Sequence, residues 1–311
     1  MAGSVVPSNP MLDEAEEFGQ YRSLWQDVWV QFRKHKGAMV GLFLLTAAIL
    51  FSYVGPYFYT IEPQFLNILE RNQGPSAAHF FGTDSIGRDI FAMMMAGGRV
   101  SLSVGFVAML ISVSLGAVIG IFAGYFPALD GPLMRVTDMF FALPLLPLLL
   151  VVTLLFRDVL RQWMGPETGI FILMVSVIGS LSWMGTARIV RGEVLSVKNQ
   201  EFVLAAVSIG TRTTRILWKH IFPNVLSPLM VSAALGVASA ILTESALSFL
   251  GLGFPSDYPT WGRLLFEGRD YINVYPSRVV WPGIAISLTV LSVNFMGDGL
   301  RDALDPRARG K

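Results

Sequence analysis

Six apolar stretches decide the environment of this 311-residue chain: 38–58, 100–126, 136–156, 170–189, 225–247 and 279–297. A hydrocarbon core of about 30 Å needs about 20 apolar residues in a helix. Within lipid only helices and closed barrels satisfy every backbone N–H and C=O. Continuous apolar runs, as opposed to alternating ones, select helices. The expected fold is therefore an all-α integral membrane protein with six transmembrane helices. Composition agrees, because charged residues make up 14% of the chain, against about 25% in ordinary soluble domains. The third stretch holds Asp138, Pro144 and Pro147 and is expected to kink.

Charge gives the expected orientation. Of the 23 Lys and Arg residues, four precede the first span (Arg22, Arg33, Lys34, Lys36) and Arg135 lies in the second loop. Six lie in the fourth loop (Arg188, Arg191, Lys198, Arg212, Arg215, Lys219), and four follow the last span (Arg301, Arg307, Arg309, Lys311). The positive-inside rule places all of these segments, and so both termini, in the cytoplasm. Residues 11–20 are acidic where a secretory signal would be basic, so no cleavable signal is expected and 38–58 stays as an anchor. The net charge of +1, with basic residues scattered, marks no nucleic-acid surface, and the lack of cysteine excludes disulfides and Cys-ligated metals.

The division that follows is a cytoplasmic tail with an interfacial helix (1–37), a first span (38–58) and an extracytoplasmic loop (59–99). A five-span core (100–300) and a cytoplasmic tail (301–311) complete it. Leu24, Trp25, Val28, Trp29 and Phe32 share one helical face ahead of Arg33 and Lys34, as in a helix lying in the inner headgroups. A soluble helix packed on the cytoplasmic side has the same pattern. In the second span Ala108, Ser112, Gly116, Gly120 and Gly124 form a small-residue stripe that lets another helix approach backbone to backbone.

Enzymatic readings fail on inventory. No G-x-x-x-x-G-K-[ST] loop is present, so the usual means of holding ATP is missing. His35, His79 and His220 lie outside the spans and have no metal-ligand spacing. The informative segment is the loop 191–224. Glu201 to Ile209 reads as a helix with Phe202, Ala205, Ala206 and Ile209 at helical spacing. Gly210 ends it, Thr211 or Thr213 caps a second short helix, and Pro223 separates that helix from the next span. Two helices hinged at a glycine make a projecting knob.

This loop resembles the coupling loop of ABC importer permeases, E-A-A-x-x-x-G followed by nine residues and I-x-L-P. Ala205, Ala206, Gly210 and Pro223 match in register, while Leu204, His220 and Phe222 stand where the motif has Glu, Ile and Leu. The segments FGTDSIGRD (81–89), ESALSFLGLG (244–253) and GDGLRDALDPR (297–307) are similar to the dipeptide/oligopeptide/nickel branch, in particular its second, shorter permease type. The resemblance runs from about residue 22 to 309.

It implies a permease subunit of the bacterial inner membrane that carries di- or oligopeptides and binds no cofactor. Nickel complexes, glutathione or oligosaccharides are alternative cargoes. The implied partners are a second homologous permease, two cytoplasmic ATPases holding ATP and Mg, an extracytoplasmic binding protein and membrane lipid. Glu201, Ala205, Ala206, Gly210 and Pro223 would then couple to an ATPase, with Glu201 able to supply the acid missing at Leu204. Glu244, the one acid well inside a span, is the candidate for the pathway or gate; local pairing near the outer interface is its bland alternative. An ion-driven transporter is the remote alternative, disfavoured by the single buried acid and the absence of paired broken helices.

Overall fold

The computed structural model describes residues 24–304. The acidic stretch at 11–20, Arg22, Arg307, Arg309 and Lys311 lie outside them. Among the described residues there are thirteen α-helices and one isolated β-bridge, between Thr83 and Asp89. Four helical stretches are long and apolar enough to cross a membrane, and six crossings result if two bent pairs each count as one.

The chain enters through α1 (Leu24–Lys34) and turns at His35, whose Nδ1 accepts from Ala38 N and caps α2 (Lys36–Tyr53). Val28 and Phe32 on α1 are buried against Ala38 and Ala303, so one face of this helix packs on protein while Trp29 is exposed. A short helix α3 (Gly55–Phe58) and a turn-rich segment lead to α4 (Ile90–Tyr125), which begins at Ile90, inside the stretch assigned to the outer loop. Its 36 residues make a rod of about 54 Å at 1.5 Å per residue, well beyond the hydrocarbon thickness. Asp89 caps it, accepting from Ala92 N at 2.7 Å.

The third and fourth spans are not single rods, so the expected absence of paired broken helices does not hold. Helices α5 (Pro127–Ala142) and α6 (Leu145–Met164) meet at 86°. Leu143 precedes Pro144 and is forced extended, at ψ 136°, because the proline ring excludes the helical region for the residue before it. Pro147 falls in the first turn of α6, where no backbone donor is needed. Helices α7 (Pro166–Ser180) and α8 (Met184–Val197) are bent by 41°, with neither Pro nor Gly in the connecting residues 181–183. After the short helices of the 198–221 loop come α11 (Phe222–Phe249), a far-end helix α12 (Trp261–Gly268) and α13 (Ser277–Leu304).

Alternating direction puts residues 24 and 304, the α4–α5 turn and the 198–221 loop at one end, here the near end. The 59–89 segment and α12 occupy the far end. Helix α4 is the hub, packed against α2, α5, α7, α8 and α11. The small-residue stripe finds its neighbour within this chain: Gly116 lies on Trp183 and Thr186, Gly120 on Ala187 and Val190, and Gly124 on Arg191 and Val194. Bidentate bonds from Arg191 to Asp130 (2.5 and 2.7 Å) and from Lys198 Nζ to Gly124 O (2.8 Å) fasten the near end.

A Cβ on Gly120 would stand 2.6 Å from Ala187 O and 2.7 Å from Val190 Cβ, so Gly120→Leu must push α8 away. We expect a loss of about 1–3 kcal/mol, typical of overpacking, read as a lower melting temperature of the detergent-solubilised protein. Gly185 has nothing within 4 Å, and Gly185→Ala should melt with the parent. A Gly120→Leu protein of parental stability would show that the stripe is not a packing surface.

Candidate functional site

At the near end, α9 (Glu201–Ser208) closes on Gly210 at φ +76°. Gly210 N donates to Val207 O at 2.9 Å and Thr211 N to Ala206 O at 3.1 Å, the paired bonds of a Schellman cap. No atom lies within 4 Å of a Cβ built there. The left-handed dihedral alone therefore reserves the position for glycine.

Two expectations about this loop need correction. The cap of α10 (Thr213–Ile216) is Arg212 and no side chain bonds the helix start, so neither Thr211 nor Thr213 serves. Pro223 does not separate α10 from the span. The helix runs on from Thr213 to Phe249 through a π turn, Leu217–Ile221, with Phe222 N donating to Leu217 O. Proline has no N–H and its ring collides with the carbonyl four residues back. The wider π turn relieves that collision without ending the helix.

The faces of α9 also differ from the periodic reading. Val203 (1% exposed) and Ala206 are buried on Val194, Ile216 and Ile221. Phe202, Leu204, Ala205 and Val207 are exposed, as is Ile209 at 82%. Of the proposed coupling residues, Ala206 thus seats the helix, Glu201 and Ala205 face outward, Gly210 sets the turn, and Pro223 lies exposed at the base. Leu204, Val207 and Trp218 extend the exposed apolar surface. Their apolar character at a loop tip was the available signal.

At the far end Glu244 is fully enclosed (0% exposed) between α4, α11 and α12. Ser101 Oγ donates to Oε2 at 3.0 Å and Ser248 Oγ to Oε1 at 2.7 Å. The same hydroxyls tie in α12, because Trp261 N donates to Ser101 Oγ and Thr260 Oγ1 to Ser248 Oγ. The acid therefore sits at the root of a hydroxyl relay that seats the start of α12. Nearby, Arg88 bonds Asp84 (2.6 Å), Glu267 (2.7 Å) and Ser256 O (2.9 Å), joining the 82–89 turn to α12. Burial opposes the Arg88 charge, but Glu267 and Asp84 outweigh it and hold the guanidinium above its ordinary pKa. Beside this cluster a cleft of about 250 Å³ is lined by Asp84, Arg88, Glu267, Tyr271 and Arg278.

The model of the family described as "Binding-protein-dependent transport system inner membrane component" matches residues 116–310. The chain belongs to this family. A second model, the "N-terminal TM domain of oligopeptide transport permease C", matches residues 23–75 of this permease, which covers α1, α2 and the start of the far-end segment. The permease is 38% identical over 290 residues to the oligopeptide transport system permease protein OppC of Bacillus subtilis, covering 92% of this chain and 91% of that protein. It is 39% identical over 289 residues to the dipeptide transport system permease protein DppC of the same organism, covering 92% and 87%. With OppC of Haemophilus influenzae the identity is 40% over 291 residues, covering 93% and 90%. The 198–221 loop and, of the Glu244 cage, Glu244, Ser248, Thr260 and Trp261 fall within the region matched by the larger family model, while Ser101 lies ahead of it.

Removing the Glu244 carboxylate would leave the Ser101 and Ser248 hydroxyls without their buried acceptor. Each buried group left unsatisfied costs about 1–3 kcal/mol, so Glu244→Ala should melt well below the parent. Glu244→Gln keeps one acceptor oxygen and should fall in between. Equal melting temperatures for parent and Glu244→Ala would show that the cage does not hold α12.

Proposed function

We propose that this chain is a permease subunit of a binding-protein-dependent, ATP-driven importer of di- or oligopeptides, forming half of the translocation pathway. What supports this most is the near-end knob: an eight-residue helix anchored on one side by Val203 and Ala206, with an apolar surface of Phe202, Leu204, Val207 and Ile209 left open on the other. Such a surface on a water-facing loop fits a groove in a soluble partner, here a cytoplasmic ATPase. The relatives are named for oligopeptide and dipeptide transport, and the cargo reading rests on them. The chain brings no ATPase site of its own; two partner subunits supply ATP and Mg. A homologous permease completes the pathway, and an extracytoplasmic binding protein delivers the cargo at the far end.

In this scheme both termini are cytoplasmic, in the bacterial inner membrane. Closure of the ATPases on ATP pulls the knob and biases the bundle between two states through differential contacts. The continuous helical rod from Thr213 to Phe249 carries that motion to Glu244, which serves the gate by holding α12 to α4 and α11.

Because the chain has no cysteine, single cysteines report topology directly. A cysteine at Ser256 should react with an impermeant maleimide from outside the cell, and one at Arg212 only after permeabilisation. The reverse pattern would overturn the orientation. Coupling is tested by Gly210→Val. Holding a non-glycine residue in the left-handed region costs about 1–2 kcal/mol, too little to unfold the bundle. The variant should therefore insert and assemble but lose most ATP-driven uptake in proteoliposomes. Parental uptake would remove the coupling assignment, and failure to insert would assign the glycine to folding instead.

A further inference from the structure

The far-end cleft of about 250 Å³ holds one charge that the chain leaves unmatched. Ile90 and Met93 from the first turn of α4 form one of its walls. Helix α4 outruns the hydrocarbon layer, so its first turn, and the cleft with it, stands beyond the lipid tails. Arg88 bonds Asp84 and Glu267, Arg263 bonds Glu267, and Arg269 bonds Asp270 at the rim. Arg278 makes no ion pair among the described residues. Asp84, which reaches it electrostatically, is already taken by Arg88 Nε and by the backbone amides of Ile86 and Arg88.

Arg278 is 6% exposed, so its charge is nearly enclosed. Its Nη2 donates to Asn72 Oδ1 at 2.7 Å and to Thr83 O at 2.8 Å. The ring centroids of Tyr271 and Tyr275 lie 5.0 and 4.4 Å from its Cζ. These contacts fix the guanidinium but leave Nε and Nη1 without a hydrogen-bond partner among the described residues. Neither atom is sealed within the protein, so both open on the cleft that Arg278 lines. A buried charge is stable only when paired, and a guanidinium bonds a carboxylate more strongly than any neutral acceptor.

The surroundings point to a protein as the source of that carboxylate. Tyr271, Ile272 and Val274 are exposed beside the cleft, as are Ile68, Leu69 (94%) and Ile86. The 68–69 pair is held there because Asn67 O packs against Gly87, where a Cβ would overlap it. Outside the hydrocarbon, a patch of this kind marks a protein partner. A polar anchor ringed by apolar contacts that exclude water is the anatomy of an interface hot spot.

We propose that this cleft is a docking socket in which Arg278 receives an acidic side chain of the extracytoplasmic binding protein. The partner assignment rests on the importer reading above; the carboxylate site does not.

The socket is tested first without a partner. Acetate, added to the purified complex at constant ionic strength, should raise the melting temperature of the parent and not that of Arg278→Gln, with Arg278→Lys between them. Ser85 lines the same cleft, so Ser85→Trp fills the space while leaving the bonds from Arg278 to Asn72 and Thr83 O in place. It should melt with the parent and lose the acetate shift. No shift in the parent, or equal shifts in parent and Arg278→Gln, overturns the site. Docking is then measured with the peptide-loaded binding protein that sustains uptake into proteoliposomes. Arg278→Gln and Ser85→Trp should each weaken its affinity for the complex at least about tenfold. Parental docking in Ser85→Trp would reduce Arg278 to a brace for the 72–83 segment and overturn the socket. Changing the binding protein's surface Asp and Glu residues to their amides, one at a time, should find one whose loss weakens docking to the parent and adds nothing in Arg278→Gln. If none does, the partner assignment falls; displacement of acetate by a free tripeptide, but not by its C-terminal amide, then gives the carboxylate to the cargo. A complex that shows the acetate shift but imports without any binding protein sinks the importer reading and the partner assignment together and leaves the carboxylate site standing.

Discussion

Backbone contact between α4 and α8 is the constraint on which the rest of the bundle depends. Lipid tails are as apolar as the helices, so no hydrophobic force drives helices together inside a membrane. What remains is close packing and a few polar bonds. The glycines at 116, 120 and 124 supply the packing by exposing backbone to Thr186, Ala187 and Val194. The bonds from Arg191 to Asp130 and from Lys198 to Gly124 O supply the rest at the near end. The bend between α7 and α8 follows from this arrangement. Helix α7 packs its Ile170, Leu173 and Met174 into one core, whereas α8 must turn to meet the glycines.

How much of this was legible beforehand differs from element to element. The apolar stretches were readable as helical because lipid imposes one composition on every turn of a crossing helix, but 136–156 and 170–189 each straddle a break. Pro144 announced the third-span break through its effect on Leu143. The fourth-span break had no such mark, because it answers to a glycine stripe on another helix. Glu244 stood out as the one acid deep in a span, but its partner Ser101 is 143 positions away and no local pattern connects them. Gly210 was readable from turn chemistry alone. The faces of α9 were not, because Phe202, Val203, Leu204 and Val207 are all apolar and only tertiary contact decides which of them is buried.

Polar groups are concentrated at the far end, where they hold irregular backbone in place. Arg88 alone bonds two carboxylates and a carbonyl on separate segments, and Arg278 bonds Asn72 and Thr83 O. Buried charges of this kind are stable only when fully partnered. They fix one conformation of a segment that has few helical bonds of its own. The Glu244 relay does the same for α12 with hydroxyls in place of guanidinium groups.

The π turn at Leu217–Ile221 has a consequence for phase. An α-helix advances about 100° per residue, and a π turn amounts to one residue inserted into such a rod. The azimuth of the knob is therefore set against that of Glu244 by residue count, not by any single side chain. Substituting Pro223 leaves the count as it is, and the relative heading of the two ends changes only if the π turn relaxes to α. Dropping one residue between 217 and 221 would rotate the α9–α10 knob by about one residue step and re-aim the exposed Ile209 relative to Glu244. The two ends of this rod are keyed to each other like teeth on a shaft, and chain length is the key.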